Sequence, residues 1–432
     1  MRQALRDLGT PALSVAVVRD GRCAAARAWG VRQPGGSEPA TTATRFMAGS
    51  VSKPVAATAA LRLVADGVLD LDEDVEKRLA GWQVPPLNGW QPTVTLRHLL
   101  SHTAGTTVHG FVGYPRTKAF PDTAGILRGE GNSPPVVVDS LPGIRWRYSG
   151  GGTTVVQLLI EEATGRPFAD VLAELVLEPA GMTSGTFAQP PPEQLHPMLA
   201  EGTGADGSPV PGGWHVYPEM AAAGLWCTPT DLAHWIGAIQ AARAGRAGAL
   251  LPPELAEQML SEQAPGWGLG PKVTRAGEHP RFSHGGSDEG FLTLLEAGQR
   301  DGTGVVVMAS SNGAGLLMNA VLAAVSDAEG WPDFPPRPTD SAAALARYAG
   351  SWRFADGRDL HIEAGAEGLL LHLPGQRPLP LSPQSASLWS TSVGMEVEFA
   401  PVDLDSSPTD LTIRPASAFT ARRVDQPEEP RP

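Results

Sequence analysis

With 432 residues, 42% of them hydrophobic and 18% charged, the chain is long enough to bury a large core, too apolar to stay unfolded, and better suited to two domains than to one. Lysines and arginines number 33 against 46 acidic residues, a formal net charge of −13, and a field of that sign excludes a nucleic-acid binder and a binder of anionic membranes. Two cysteines, Cys23 and Cys227, make neither a disulfide framework nor a zinc cluster and read as small hydrophobes.

The first twenty residues carry charges where an export signal needs an apolar run, which predicts a cytoplasmic protein. The runs LSVAVVRD and RCAAARAWG, joined across Gly21, predict a hairpin. Helical patterns follow from Ser50 to about Ala65, around Thr95 to His102, from Thr153 to Ala163 with Gly165 as the stop, around Phe168 to Leu177, and from Pro229 to about Ala242. Strand patterns return in PRFSHGGS, GFLTLLEA and GVVVMA. Residues 302–326 hold no charge over a length that could span a bilayer, but Ser310-Ser311-Asn312-Gly313 interrupts them, so they read as a buried strand and then a helix. Strands, then helices, then strands again predict an α+β fold, with an antiparallel sheet built from both ends of residues 1–330, flanked by helices and joined to an all-helical subdomain. Four prolines in residues 331–343 mark a linker. Residues 344–423 alternate in short runs such as DLHIE, GLLLHL and MEVEF, which predicts a small antiparallel β-barrel or sandwich; residues 424–432 read as a frayed acidic tail.

Three constellations carry chemistry. In Ser50-Val51-Ser52-Lys53-Pro54, proline is tolerated only in a first helical turn, so Pro54 places a helix start near Ser50. Ser50 and Lys53 then lie one turn apart on one face. A serine hydroxyl is a poor nucleophile near neutral pH unless a neighbouring base takes its proton, and an amine in a dry setting can do so. The plain alternative is a helix cap followed by a solvated lysine, but VAATAALRLVA leaves little water near one of only four lysines in the chain. Next, Tyr148-Ser149-Gly150 opens a glycine run before a helix; Tyr148 reads either as a core aromatic or as a site residue. The run lacks the lysine of a phosphate loop. Last, His284-Gly285-Gly286-Ser287 puts two glycines inside a strand, where something must approach closely, with the Ser287 amide free to meet a carbonyl oxygen. His98 and His102 have the spacing of a zinc pair but no third ligand, so neither a metal nor any other cofactor is expected. The nucleophile-elbow pattern Gly-x-Ser-x-Gly is not found.

In this order the three motifs resemble those of the serine β-lactamase and penicillin-binding-protein-like superfamily, in the branch of class C β-lactamase-related esterases and D-aminopeptidases. TVTLRHLLSHTAG and AAAGLWCTPTDLAHW are similar to further family segments, and the portion that begins LARYAGSWRF resembles an appended lipocalin-like barrel. The resemblance implies Ser50 as nucleophile, Lys53 and Tyr148 as proton carriers, and Gly150, His284, Gly285, Gly286 and Ser287 as oxyanion or substrate-binding positions. Two departures stand out. Gly150 occupies the place of an asparagine, and His284-Gly285-Gly286 replaces Lys-Thr-Gly, so a permanent cation gives way to a group largely neutral at pH 7. The resemblance then implies an acyl-enzyme hydrolase of small esters. A D-stereospecific peptidase or β-lactamase-like amidase, a thioesterase-type peptide cyclase and a catalytically silent ligand-binding homologue are the alternatives.

Overall fold

The computed structural model describes residues 1–274 and 279–331, and residues 345–424 apart from short stretches at 355–356, 366–367, 375–377, 384–387, 392–394, 400–407 and 415–418. The chain divides into two compact units, Met1–Val325 and Ser326–Pro432. Nearly all of the expected linker and tail lies outside the described residues.

The hairpin forms as β1 (Ala12–Arg19) and β2 (Arg22–Gly30). Next come α1 (Ser52–Ala65), α2 (Leu96–Leu100), α3 (Gly150–Thr164), α4 (Met220–Ala223) and α5 (Pro229–Arg243). The chain then returns through β3 (Lys272–Thr274), β4 (Arg281–Asp288), β5 (Phe291–Gly298) and β6 (Gly304–Ala309) to α6 (Gly315–Glu329). The six strands make one antiparallel sheet in the order β2-β1-β6-β5-β4-β3. The first strand pairs with the last, Val15 opposite Val307, so the sheet closes the chain's two ends on each other as the element order implies. Residues 302–326 are a strand and a helix, as expected; among the described residues no helix is long and apolar enough to cross a membrane.

Helix α1 starts later than Pro54 suggests. Ser50 belongs to a 3-10 turn, Gly49–Val51, and the α-helix begins at Ser52. Proline at the third helical position still falls among the amides that have no intrahelical partner, so its missing N–H costs nothing there. The helix is buried on nearly every side, and its alanines let neighbours approach: a Cβ at Gly270 would meet the Ala57 methyl at 2.7 Å. Helix α3 in turn starts earlier than expected, taking all three glycines into its first turn. Ser149 caps it, accepting from the Gly152 amide at 2.9 Å and donating to the Thr107 carbonyl at 2.6 Å.

The second unit forms a closed eight-stranded antiparallel barrel: β7 (Gly350–Phe354), β8 (Asp359–Gly365), β9 (Gly368–His372), β10 (Leu379–Pro383), β11 (Leu388–Thr391), β12 (Glu396–Phe399), β13 (Asp410–Arg414) and β14 (Phe419–Arg423). Trp352 opposite Arg423 closes the ring, which leaves no free edge. Alternation puts Trp352, Leu360, Ile362, Leu371, Trp389 and Phe399 inside, a filled core of its own.

Candidate active site

Two fixed pieces of backbone build the site. One is the turn that carries Ser50. Phe46–Met47 pairs with Trp226–Cys227, the Ala48 amide donates to the Leu225 carbonyl at 2.8 Å, and the Leu225 amide returns a bond to Ser52 Oγ at 3.0 Å. The other is the outer end of β4. Its neighbour β3 pairs only as far as Ser283, so Gly285 to Ser287 form an open strand edge, exposed at Gly285 and Ser287. The two pieces touch. Gly49 has φ of +53°, and a Cβ there would lie 2.6 Å from the Ser287 amide nitrogen; a Cβ on Gly286 would lie 2.0 Å from the Ala48 carbonyl oxygen and 3.2 Å from the Ser50 amide nitrogen. Only glycine at both places lets the serine turn press on the strand with two amides alongside.

Ser50 is half-buried, and Lys53 Nζ donates to its Oγ at 3.0 Å and to the Ala222 carbonyl at 2.9 Å. Lys53 is 4% exposed. Burial pushes its pKa down to about 7, against the pull of Asp288. The positive end of α1 acts in the same direction as burial. The Tyr148 hydroxyl faces Ser50, and the Lys53 nitrogen lies 4.9 Å from its ring centre. Burial pushes the phenol well up, outweighing the nearby serine hydroxyl, so of the two groups next to Ser50 the amine gives up its proton more readily.

His284 is buried on the inner face of β4, its ring 6.1 Å from that of Tyr148 and 5.6 Å from Trp267. Its Nδ1 lies 2.6 Å from the Gly285 carbonyl, which can only accept, so the proton sits on Nδ1 and Nε2 is a bare acceptor. Burial, with the Lys53 charge, pushes its pKa down to about 3. Gly150 heads α3 and is turned to the preceding loop: its amide donates to the His109 carbonyl at 3.0 Å, and the place of a side chain there is bounded by that carbonyl and the Phe111 ring. Ser50, Lys53, Tyr148, His284, Gly286 and Ser287 are thus gathered in one place, while Gly285 lies on the exposed edge and Gly150 faces the 109–111 loop.

The zinc-spaced histidines part company. His98 belongs to the α2 capping box, its Nδ1 accepting from the Thr95 amide at 3.3 Å. His102, at φ of +58°, turns into the site, stacks 4.4 Å from Tyr148 and accepts from the Ser149 amide at 3.3 Å. Among the described residues no group of three or more His, Cys, Asp or Glu is placed to hold a metal.

Sequence reasoning missed His102 as a support for Tyr148, Trp267 as a wall, and two buried carboxyls. Asp288 follows His284 and Gly286 at every second residue of β4, a period that marks one strand face. Glu219 precedes α4, whose Ala222 carbonyl holds Lys53, and no local pattern singles it out. Neither carboxyl has a hydrogen-bond partner in another described residue, and burial raises both, Glu219 to about 7.

Residues 1–328 match the family described as Beta-lactamase. Esterase EstB of Burkholderia gladioli is 30% identical over 311 residues, spanning 62% of this chain and 76% of that one. Penicillin-binding protein 4* of Bacillus subtilis (strain 168) is 25% identical over 398 residues, 84% of each chain. Among solved structures, the octameric penicillin-binding protein homologue from Pyrococcus abyssi superposes with a TM-score of 0.66 at 20% identity, covering 97% of this chain and 98% of that one, a likeness of fold. The family match takes in the whole serine–lysine–tyrosine site and most of the chain, which therefore belongs to the β-lactamase family and is a serine hydrolase of that fold.

Proposed function

We propose that the chain hydrolyses small carboxylic esters through an acyl-enzyme on Ser50, with Lys53 as the base. The observation that carries this reading is the 3.0 Å contact between Lys53 Nζ and Ser50 Oγ in a dry setting. As a free amine Lys53 keeps its bond to the Ala222 carbonyl and turns its lone pair on the serine hydroxyl. Ser50 Oγ then attacks the carbonyl carbon while its proton passes to Nζ. The amides of Ser50 and Ser287 take the oxyanion. As the tetrahedral adduct collapses, the bond to the leaving alkoxide breaks, and a proton returns from Nζ by way of the Tyr148 hydroxyl, which stays protonated in the resting site. Water repeats the sequence and releases the acid.

One feature favours an ester over a β-lactam or a peptide with a free carboxylate: His284 is held neutral where a permanent cation would grip that carboxylate. The likeness to an esterase supports the same choice. The test is a side-by-side assay of a short-chain nitrophenyl ester, nitrocefin and D-alanine amide. Turnover of the ester at least about a hundredfold above the other two, the size of effect positioned catalytic groups supply, is expected; a preference for either amide overturns the ester assignment.

A further inference from the structure

Aromatic rings crowd one end of the site. The Tyr148 ring lies 4.4 Å from that of His102, 5.0 Å from the exposed His109, 5.6 Å from Trp267 and 6.1 Å from His284, centre to centre. Trp146 extends the group, 5.4 Å from Trp267. Ser50, Tyr148 and Trp146 are each half-buried, so the rings and the nucleophile are open to solvent along this side.

The rings are held there at a conformational cost. Val108 has φ of +63°, a left-handed backbone that a β-branched residue adopts only under constraint. The constraint is the start of α3: the Gly150 and Gly151 amides donate to the His109 and Val108 carbonyls at 3.0 and 2.9 Å, and a Cβ on Gly151 would lie 2.7 Å from the Thr107 carbonyl oxygen. Bare glycines thus bring this loop, and His109 with it, against Tyr148. Trp267 is fixed by a tight turn, its amide donating to the Ala264 carbonyl and its carbonyl accepting from the Gln263 amide, both at 2.8 Å.

The imidazoles in the group are neutral near pH 7, with burial the main cause in each. Arg147 is turned to Asp139 and to the Gly105 carbonyl. Neutral rings of this kind offer little to an anionic group, and they favour a flat aromatic partner through offset and edge contacts as well as through burial of apolar surface.

Position along β4 says which part of the substrate meets them. With its carbonyl oxygen between the Ser50 and Ser287 amides, a substrate sends its two substituents opposite ways along the strand. Tyr148, which hands the proton to the leaving oxygen, stands with His284 at one end. Asp288 ends the other, roughly 13 Å away at the usual rise of a strand, and the Ser50 turn packs between them at Gly286.

Resting on the acyl-transfer reading above, we infer that these rings form the leaving-group subsite and that the preferred substrates are esters of aromatic alcohols. The ring of the departing alcohol lies against Tyr148, Trp267 and Trp146. Its oxygen takes the proton from the Tyr148 hydroxyl as the bond to the carbonyl carbon breaks.

The test compares two isomers, benzyl acetate and methyl phenylacetate, which carry one phenyl ring on opposite sides of the ester. Cyclohexylmethyl acetate, similar in bulk to the first but without a π face, is the third substrate. Each kcat/KM is divided by the rate constant for hydrolysis of that ester by hydroxide, which removes differences in intrinsic reactivity. Benzyl acetate should exceed methyl phenylacetate by at least about tenfold and cyclohexylmethyl acetate by at least about threefold. In Trp267→Ala and Trp146→Ala the preference over methyl phenylacetate should fall toward one, and Trp267→Phe should keep most of it. Equal turnover of the two isomers by the unaltered protein, or a preference for methyl phenylacetate, overturns the leaving-group assignment alone, with no need for a variant to fold. Equal turnover of benzyl and cyclohexylmethyl acetates overturns the aromatic preference. Variants that slow all three esters alike also overturn the inference, since the rings would then only hold Tyr148 in place. Absence of any Ser50-dependent turnover, of these esters and of nitrophenyl esters, overturns both this inference and the hydrolase reading beneath it.

Discussion

Gly285 and Gly286 are adjacent on one strand, yet alanine at each should have opposite consequences. At Gly286 a methyl would sit 2.0 Å from the Ala48 carbonyl oxygen, and side-chain carbons do not come closer than 3.0 Å to such atoms, so the gap must open by 1 Å. That carbonyl cannot yield alone. It accepts from the Val51 amide at 3.2 Å, and the Ala48 amide is tied to Leu225, so the turn that carries Ser50 moves with it. A displacement of about 1 Å at a nucleophile costs on the order of a hundredfold in rate, and overpacking of this kind costs about 1–3 kcal/mol of stability. At Gly285 nothing lies within 4 Å of the added methyl. Gly286→Ala should thus lose about two orders of magnitude in kcat/KM on a nitrophenyl ester and unfold at lower urea, whereas Gly285→Ala should keep its unfolding free energy to within about 0.5 kcal/mol. A Gly286→Ala protein within threefold of the original rate, or a Gly285→Ala protein as destabilised as its neighbour, would refute the idea that contact between turn and strand places the nucleophile.

Lys53→Met should abolish ester turnover and yet raise stability near neutral pH, because the folded site disfavours the ammonium that the unfolded chain carries freely; from the drop from 10.5 to about 7, that penalty is on the order of 3–5 kcal/mol. Between those two values the unfolded chain binds the extra proton, so the original protein should gain stability relative to Lys53→Met as pH rises from about 7 to 10.5, read from urea midpoints across pH. For the same reason kcat/KM should rise with pH through about 7 as Lys53 becomes a free amine; a profile flat from pH 5 to 9 would remove Lys53 as the base. Ser149→Ala deletes both the cap of α3 and the tie to the Thr107 carbonyl, and should cost about 1–2 kcal/mol in denaturant unfolding while loosening Tyr148 enough to lower kcat.

Much of this site can be read from residue types and spacing because each motif solves a local problem. A proline, a serine and one of few lysines define a turn and a base within five residues, and two glycines in a strand announce a close approach. The start of α1 was misplaced by two residues because proline marks a first turn without saying which of its positions it holds, and Ser50 precedes that helix in a 3-10 turn. The glycines of α3 read as loop because glycine disfavours helix; here their bareness admits the 106–110 loop, with the Thr106 hydroxyl 2.7 Å from where a Cβ of Gly152 would be. His102 and Glu219 reach the site through tertiary folding alone. Asp288 was legible in principle, since the two-residue period of β4 puts it on the face of His284, but that period carries meaning only once the inner face is known.

Intact-mass analysis after exposure to a fluorophosphonate, with a poorly hydrolysed activated ester in parallel, tests the central claim most directly. The account predicts one adduct per chain in each case, mapped by peptide sequencing to Ser50, and neither labelling nor ester turnover in Ser50→Ala. An adduct on another residue, or undiminished ester hydrolysis by Ser50→Ala, would contradict it.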